Sequence, residues 1–302
     1  MTKRSLIEPV RSNTRPARCG GTRRSASIAA SVSGALTTAI VISVALAIAT
    51  PTSAHAVGAR PAAFDQETTA PPATSGSDEA LALLARLEDA MGGRAAIEAI
   101  PGVRMEMTVR VDEEDPNPVK VSVVRAKPFA ARIRQSGGGR TASEIGFDGE
   151  LGWMSDGQGG HLELNADHAR DMMQGADLQA MLRDLRTRFE RFDADPPTEF
   201  RGKQVLVLRC AEEDASEGDS VRVFLDPTTV LPVGMESVVA GEERDVNRVT
   251  FEGWRDERGV KVFSKMTIDR GPIRSLIVFD RIAFEAIPAG DIRSPLAEKD
   301  AE

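Results

Sequence analysis

The sequence predicts an α+β fold that is mostly β: a curled antiparallel sheet of about eleven strands with helices laid into its hollow. Three observations predict it. Apolar and polar residues alternate with period two through most of the chain after residue 102, as in "VRMEMTVRV". The links between these runs are short and carry turn residues, "DPTT" and "DERG" among them, which suit hairpins rather than βαβ units. Two segments switch to helical spacing, and their apolar stripes match the single greasy face that each strand presents. Removing each Val, Leu, Met or Phe from water contributes roughly 1.5–3 kcal/mol, so that face must be covered. A hollow roofed in this way has room for an apolar pocket.

The first helix is predicted over residues 77–91. Ser77 or Asp78 caps it, Ala80, Leu83, Leu84, Leu87 and Met91 share one face, and Gly92-Gly93 stops it. A shorter turn, "RAAIEAI", ends at Pro101. Val103, Met105, Met107, Val109 and Val111 then form the dry side of a strand whose wet side is Arg104, Glu106, Thr108 and Arg110. Val119, Val121 and Val123 repeat the pattern, and "FAARIRQS" and "TASEIGF" flank Gly137–Gly139. The glycine-rich "GFDGELGWMSDGQGG" invites a phosphate-loop reading. It has no lysine and matches neither G-x-G-x-x-G nor G-x-x-x-x-G-K-[ST], so the better reading is a hairpin turning tightly at Asp148-Gly149. A short helix is expected after Asn165. A longer one spans 177–192, with Leu178, Met181, Leu182, Leu185, Phe189 and Phe192 as its stripe. Six further strands follow: "QVLVLRC", "SVRVFL", "VLPVGMESVV", "VNRVTFEGW", "VKVFSKMTI" and "IRSLIVFDRIAFEAI".

The ends of the chain bear on compartment. Residues 1–56 have a basic start, an apolar run densest at "AIVISVALAIA", and Ala54-His55-Ala56, the layout of a signal peptide cut after Ala56. The expected location is periplasmic or otherwise exported; the alternative is an uncleaved leader anchoring the protein to the inner membrane. Residues 57–76, rich in proline, alanine and small polar residues, read as a flexible linker, and 77–302 as one domain. Seven basic residues and one acid depart with the leader. That leaves 31 basic against 45 acidic side chains, a balance that disfavours nucleic acid as a partner. Cys19 departs too, so Cys210 can form no intramolecular disulfide and reads as a buried strand thiol.

"VVRAKPFAARIRQ" followed by "IGFDGELGWMSD" resembles the periplasmic outer-membrane lipoprotein carrier family of LolA and LolB. Similar elements recur in order along residues 77–290: the leading amphipathic helix, "FRGKQVLVLRC", the hairpin "VFLDPTTVLPVGME" and the late hairpin "VTFEGWRDERGVKVFSKMTID". The resemblance implies an incomplete, strongly curved antiparallel barrel with helices over its concave face. It also implies a non-enzymatic binding protein that holds the acyl chains of a lipid or lipoprotein, for transfer toward the outer membrane through a membrane-bound partner. The alternative within the same fold is an envelope sensor or structural module that binds a protein. Lys127 stands where that family has a functionally important arginine before proline; lysine keeps the charge but lacks the planar fork.

The expected lining of the apolar cavity is Met105, Met107, Val109, Val121, Val123, Phe129, Trp153, Met181, Leu182 and Leu185, with Lys127 at the mouth near a headgroup. Met172 and Met173 add adaptable side chains. No cofactor, metal or catalytic residue is expected, and the chain is expected to be monomeric. His161, His168, Asp167 and Asp171 do not assure three metal ligands. "DEED" at 112–115 has no glycine at the sixth place of a calcium loop, and "EED" at 212–214 reads as a solvated hairpin tip.

Overall fold

The computed structural model describes residues 74–296 except 113–114, 139, 156–158, 176, 184, 213–214, 216–219 and 239–245. The leader and most of the linker lie outside the described residues, as does part of each acidic tip. Strand β1 (Ser75–Gly76) precedes helix α1 (Asp78–Ala90), which Ser77 caps by accepting from the Ala80 N–H at 3.2 Å. Gly92 and Gly93 end that helix at φ 119° and 83°, and α2 (Arg94–Glu98) follows. The period-two segments form β2 (Gly102–Val111), β3 (Val119–Ala126), β4 (Ala130–Gly137), β5 (Arg140–Phe147), β6 (Gly152–Ser155) and β7 (His161–Leu164). Helix α3 (Ala166–Gln174) is capped by Asn165, and two four-residue helices, α4 (Ala180–Arg183) and α5 (Leu185–Arg188), come next. Then run β8 (Arg191–Phe200), β9 (Lys203–Ala211), β10 (Ser220–Leu225), β11 (Pro232–Val238), β12 (Asn247–Glu252), β13 (Arg255–Glu257), β14 (Val260–Val262), β15 (Lys265–Arg270) and β16 (Ile273–Phe284).

Fourteen strands make one sheet in the order β1-β8-β9-β10-β11-β12-β15-β16-β2-β3-β4-β5-β6-β7; β13 and β14 pair apart from it. Every neighbour is antiparallel except β1 against β8. The sheet is curved and does not close, so the incomplete barrel expected from the sequence is what the chain forms. Its inner face carries the main core, which joins Met105, Met107 and Val109 of β2 to Val121 and Val123 of β3, Leu208 of β9 and Phe251 of β12. Leu83, Leu84 and Leu87 of α1, Met173 of α3 and Met181, Leu182 and Leu185 of α4–α5 complete that core from the other side.

The strands number more than eleven for identifiable reasons. The expected helix over 177–192 stops at Arg188, and Phe192 lies on β8 instead. The acidic, proline-containing "RFDADPPTEF" pairs with β9 despite its poor strand composition, a case of tertiary pairing overriding propensity. "VKVFSKMTI" splits into β14 and β15, and β13 forms just after "VNRVTFEGW", because Gly253, at φ 69°, turns the chain out of the sheet where a Cβ would meet Ser264 Oγ. "HLEL" pairs with β6. Ser75–Gly76 leave the linker to join the sheet, since a side chain at Gly76 would strike the Phe192 carbonyl. The hairpin of β5 and β6 is present, but its loop has four residues: Phe147 pairs with Gly152, and Asp148 Oδ1 accepts from the N–H groups of Glu150 and Leu151.

At the far edge, β8 is paired by β1 at Arg191 and Phe192 alone. Beyond that, Pro196 and Pro197 form a bulge where the register with β9 shifts, and prolines offer no N–H to an incoming strand. The hairpin of β8 and β9 runs on past the end of β10 and folds over the outer face of the sheet. Its Phe200 ring rests on Gly234 of β11, and its Arg201 reaches Asp269 of β15 at 3.0 Å.

Two expectations follow. A Cβ at Gly146 would lie 2.3 Å from the buried Trp153 ring, so Gly146→Ala lowers stability by about 1–3 kcal/mol in denaturant unfolding. In the "DPTT" turn, Asp226 Oδ1 accepts from the Thr229 and Thr228 N–H groups at 2.8 and 2.9 Å, and these bonds hold its carboxyl below the usual range. Its stabilising effect is present above the unfolded carboxylate value of about 3.9 and is lost as pH falls through the lower folded value. The stability gap between the wild type and Asp226→Ala therefore narrows in acid, as thermal melts across pH will register.

Candidate functional site

The hollow of the sheet is the candidate site. Of the ten residues expected to line it, Met105, Met107, Val109, Val121, Val123, Met181, Leu182 and Leu185 come together in the inner core, all almost wholly buried. Phe129 packs at its rim, half-buried, with its ring 5.9 Å from that of Phe147. Trp153 does not join them. Cross-strand pairing sets it opposite Gly146, on the outer face, where it packs with Val124 and with Ile292 of the C-terminal tail and donates to Glu144 at 3.3 Å. Residues 145 and 147 point inward, so 146 and its partner 153 must point outward. Met173 is buried in the hollow and Met172 is packed against it.

Helices roof this hollow. Helix α1 lies over β8 and β9, and α3 over β4 to β6, where the absence of a side chain at Gly152 admits Ala169. The four-residue α4 and α5 are too short to be stable alone, so their hold on the sheet decides whether the roof stays down. That hold has a polar centre. Asp177 Oδ1 caps α4 by accepting from the Gln179 and Ala180 N–H groups, and Asp177 Oδ2 pairs with Arg183 at 2.6 Å. Gln179 fastens to the backbone of Phe263 in both directions, donating at 3.0 Å and accepting at 3.2 Å. Arg183, with its side chain 4% exposed, lies over Phe284 while its Nε and Nη1 have no hydrogen-bond partner among the described residues. Each such buried, unpaired donor costs about 1–3 kcal/mol.

Arg186 of α5 meets Glu88 of α1 at 2.5 Å and ties the roof segments together. Lys127 is exposed in the turn between β3 and β4 and donates to the Glu98 carbonyl at 2.6 Å. A cation there meets the carbonyl end of α2. Arg125, one turn of chain away, reaches Asp177 at 3.5 Å and lies over Phe129. Lys127, Arg125 and Phe129 thus mark one side of the hollow, beside the helices.

Sequence reading missed the Asp177–Gln179–Arg183 cluster. An aspartate before an apolar run is a capping signal, so Asp177 was findable; nothing local marks Arg183 as buried. Elsewhere, Cys210 is a buried thiol on β9, its pKa pushed up by desolvation. Among the described residues no group of three metal-ligating side chains forms, and no helix is long and apolar enough to cross a membrane. His161 lies on edge strand β7; His168 and Asp167 are exposed on α3, and the Asp171 side chain lies outside the described residues.

Removing Asp177 would leave a buried guanidinium without its counter-charge, a loss of about 3–5 kcal/mol. Asp177→Ala is expected to raise amide exchange in residues 177–188 ahead of the strands, and Arg183→Met in the same chain to restore part of the protection. Unchanged exchange there would show that the pair does not hold the roof.

No family model matches the sequence, and no curated protein matches it significantly. Solved structures do match. A LolA superfamily protein from Nitrosomonas europaea aligns with a TM-score of 0.50 at 9% identity, over 72% of this chain and 98% of that one. A DUF1329 family protein from Desulfovibrio piger aligns with a TM-score of 0.50 at 7% identity, over 73% of this chain and 99% of that one. At such identities the likeness is one of fold alone. The chain carries the fold of the LolA superfamily.

Proposed function

We propose that this chain is an exported, non-enzymatic protein that holds the acyl chains of a lipid or lipoprotein between the inner face of its sheet and the helical roof. The observation that carries the reading is the roof itself. A large apolar face is covered by α1, by the nine-residue α3 and by α4 and α5 of four residues each, the last two fastened at a polar cluster that leaves Arg183 under-bonded. Lifting α4 and α5 returns that guanidinium to water, which offsets part of the cost of exposing Met181, Leu182 and Leu185. An acyl chain then replaces the departing side chains against β2 and β3. Ten buried methylenes at about 0.8 kcal/mol each amount to ~8 kcal/mol, the scale of a micromolar complex before the cost of association. Met105, Met107 and Met173 supply unbranched, polarisable surface that adapts to different chains. Lys127 and Arg125 stand where an anionic headgroup would emerge. Export rests on the leader over residues 1–56.

The described state is closed, with the lining residues packed on one another, and this same closure favours a second reading in which the module docks a protein partner through its surface. Native mass spectrometry of the protein purified from its own envelope separates the two. Acyl-bearing adducts, with re-uptake of lipid by the stripped protein, are the expected result. A chain that is always empty and takes up no lipid, yet co-purifies stoichiometrically with a protein, would leave the docking role in its place.

A further inference from the structure

The outer face carries a feature that the acyl-binding role does not use. Seven cross-strand neighbours form a band of charge over seven strands: Asp193, Arg209, Arg222, Glu236, Arg248, Asp269 and Arg274. Carboxylates are shared within it. Asp195 serves Arg209 and Arg222, Glu236 serves Arg222 and Arg248, and Asp269 serves Arg201 and Arg274. The sharing is uneven. Arg248 sits on Glu236 at 2.6 Å and Arg201 on Asp269 at 3.0 Å, whereas Arg222 lies 3.9 Å from Asp195 and 3.6 Å from Glu236. The buried Nε of Arg222 has no hydrogen-bond partner among the described residues.

The folded-over tip of β8 and β9 roofs this spot. Between tip and sheet lies a cleft of about 320 Å³, lined by Arg201 above, by Arg222, Glu236 and Arg248 below, and by Phe200 and Phe224. The two rings stack at 4.5 Å and the Arg222 guanidinium lies over Phe224, 5.2 Å from its centroid, while part of its donor capacity stays unspent. The volume falls at the lower end of small-molecule sites, roughly 300–1,000 Å³.

The geometry points to a binding site for the phosphate ester of a small polyol in this cleft. Three guanidiniums converge on one space, and planar forks suit a tetrahedral oxyanion with several acceptor oxygens. Arg201 and Arg248 are already fixed by their carboxylates, so little freedom is lost when they engage. Arg222 supplies an Nε donor that no hydrogen bond among the described residues satisfies and an Nη1 held only loosely by Glu236. Glu199 at the lip and Glu236 on the floor accept from hydroxyl groups, which selects a hydroxylated carrier over bare phosphate. Such a ligand has two sources, a soluble ester or the headgroup of a glycerophospholipid. The site is independent of the hollow, from which the sheet separates it.

The test titrates glycerol 3-phosphate into the exported chain by calorimetry, with glycerol as the control, and floats the protein with vesicles of phosphatidylglycerol or of phosphatidylcholine alone. Saturable one-to-one binding of the phosphate and not of glycerol is expected. Arg222→Ala should weaken it about tenfold or more, and Arg222→Lys by less, because the charge remains and the fork is lost. Arg94→Ala, in an exposed pair on α2, should leave it unchanged. Flotation with phosphatidylglycerol that glycerol 3-phosphate competes away identifies the headgroup as source; phosphate binding without flotation identifies the soluble ester. Absence of saturable binding up to about 10 mM, weaker than any useful affinity, overturns the site. So does binding that survives both Arg222 substitutions. Should Arg222→Ala lower the melting temperature, Arg222→Lys decides alone.

Discussion

A sheet that curls but never closes must bury one of its faces with something other than itself. Here that demand falls on helices drawn from the same chain, inserted before β2 and between β7 and β8. The rest of the architecture follows from it. Apolar residues alternate along the strands because one side must be dry, and α1 carries a leucine stripe because it lies against β8 and β9. The antiparallel order keeps connections short, so the covering helices stand out as the long insertions. A closed barrel would have needed no such cover and would have offered no movable boundary between its interior and water.

The physics of the two faces differs in kind. The inner face is held by area, through contacts that are non-directional and tolerant of exchange among apolar groups. Its polar fastenings are few and gathered at Asp177, Gln179 and Arg183. The outer face is held by directional pairs between neighbouring strands, and by a small satellite core of Phe200, Val205, Val207 and Phe224 under the overhanging hairpin. The first surface tolerates a change of apolar neighbours, whereas the second fixes charged groups at set positions. One strand serves both, since Arg222 and Phe224 of β10 face outward while Val221 and Val223 face inward.

Much of this was legible in the residues. Period-two runs located most strands, Ser77 and Asn165 announced their helices, and Gly92-Gly93 ended α1. Even the outward placement of Trp153 could have been read. A two-residue turn at Asp148-Gly149 would pair it with Glu144 and the observed four-residue loop pairs it with Gly146; both lie on the face opposite Ile145 and Phe147. Face parity therefore sets Trp153 apart from the expected cavity lining. β8 was hidden for a different reason. "DADPPTEF" has neither strand propensity nor alternation, and it is a strand because β9 pairs with it and because its bulge bends the hairpin over the sheet. Nor could local pattern reveal the burial of Arg183, which depends on Phe284 and Asp177 arriving from distant positions.

Pro196 and Pro197 have one more effect, on how copies of the molecule treat each other. An unclosed sheet has two rims, and each rim is a template onto which another copy could add its own end strand and begin a polymer. At one rim, the pair of imino acids breaks the ladder of donors four residues past the point where β1 stops pairing with β8. At the other, β7 has only four residues to offer. With neither rim a good template, the sheet can stay unclosed and still be a poor seed for chain-to-chain growth.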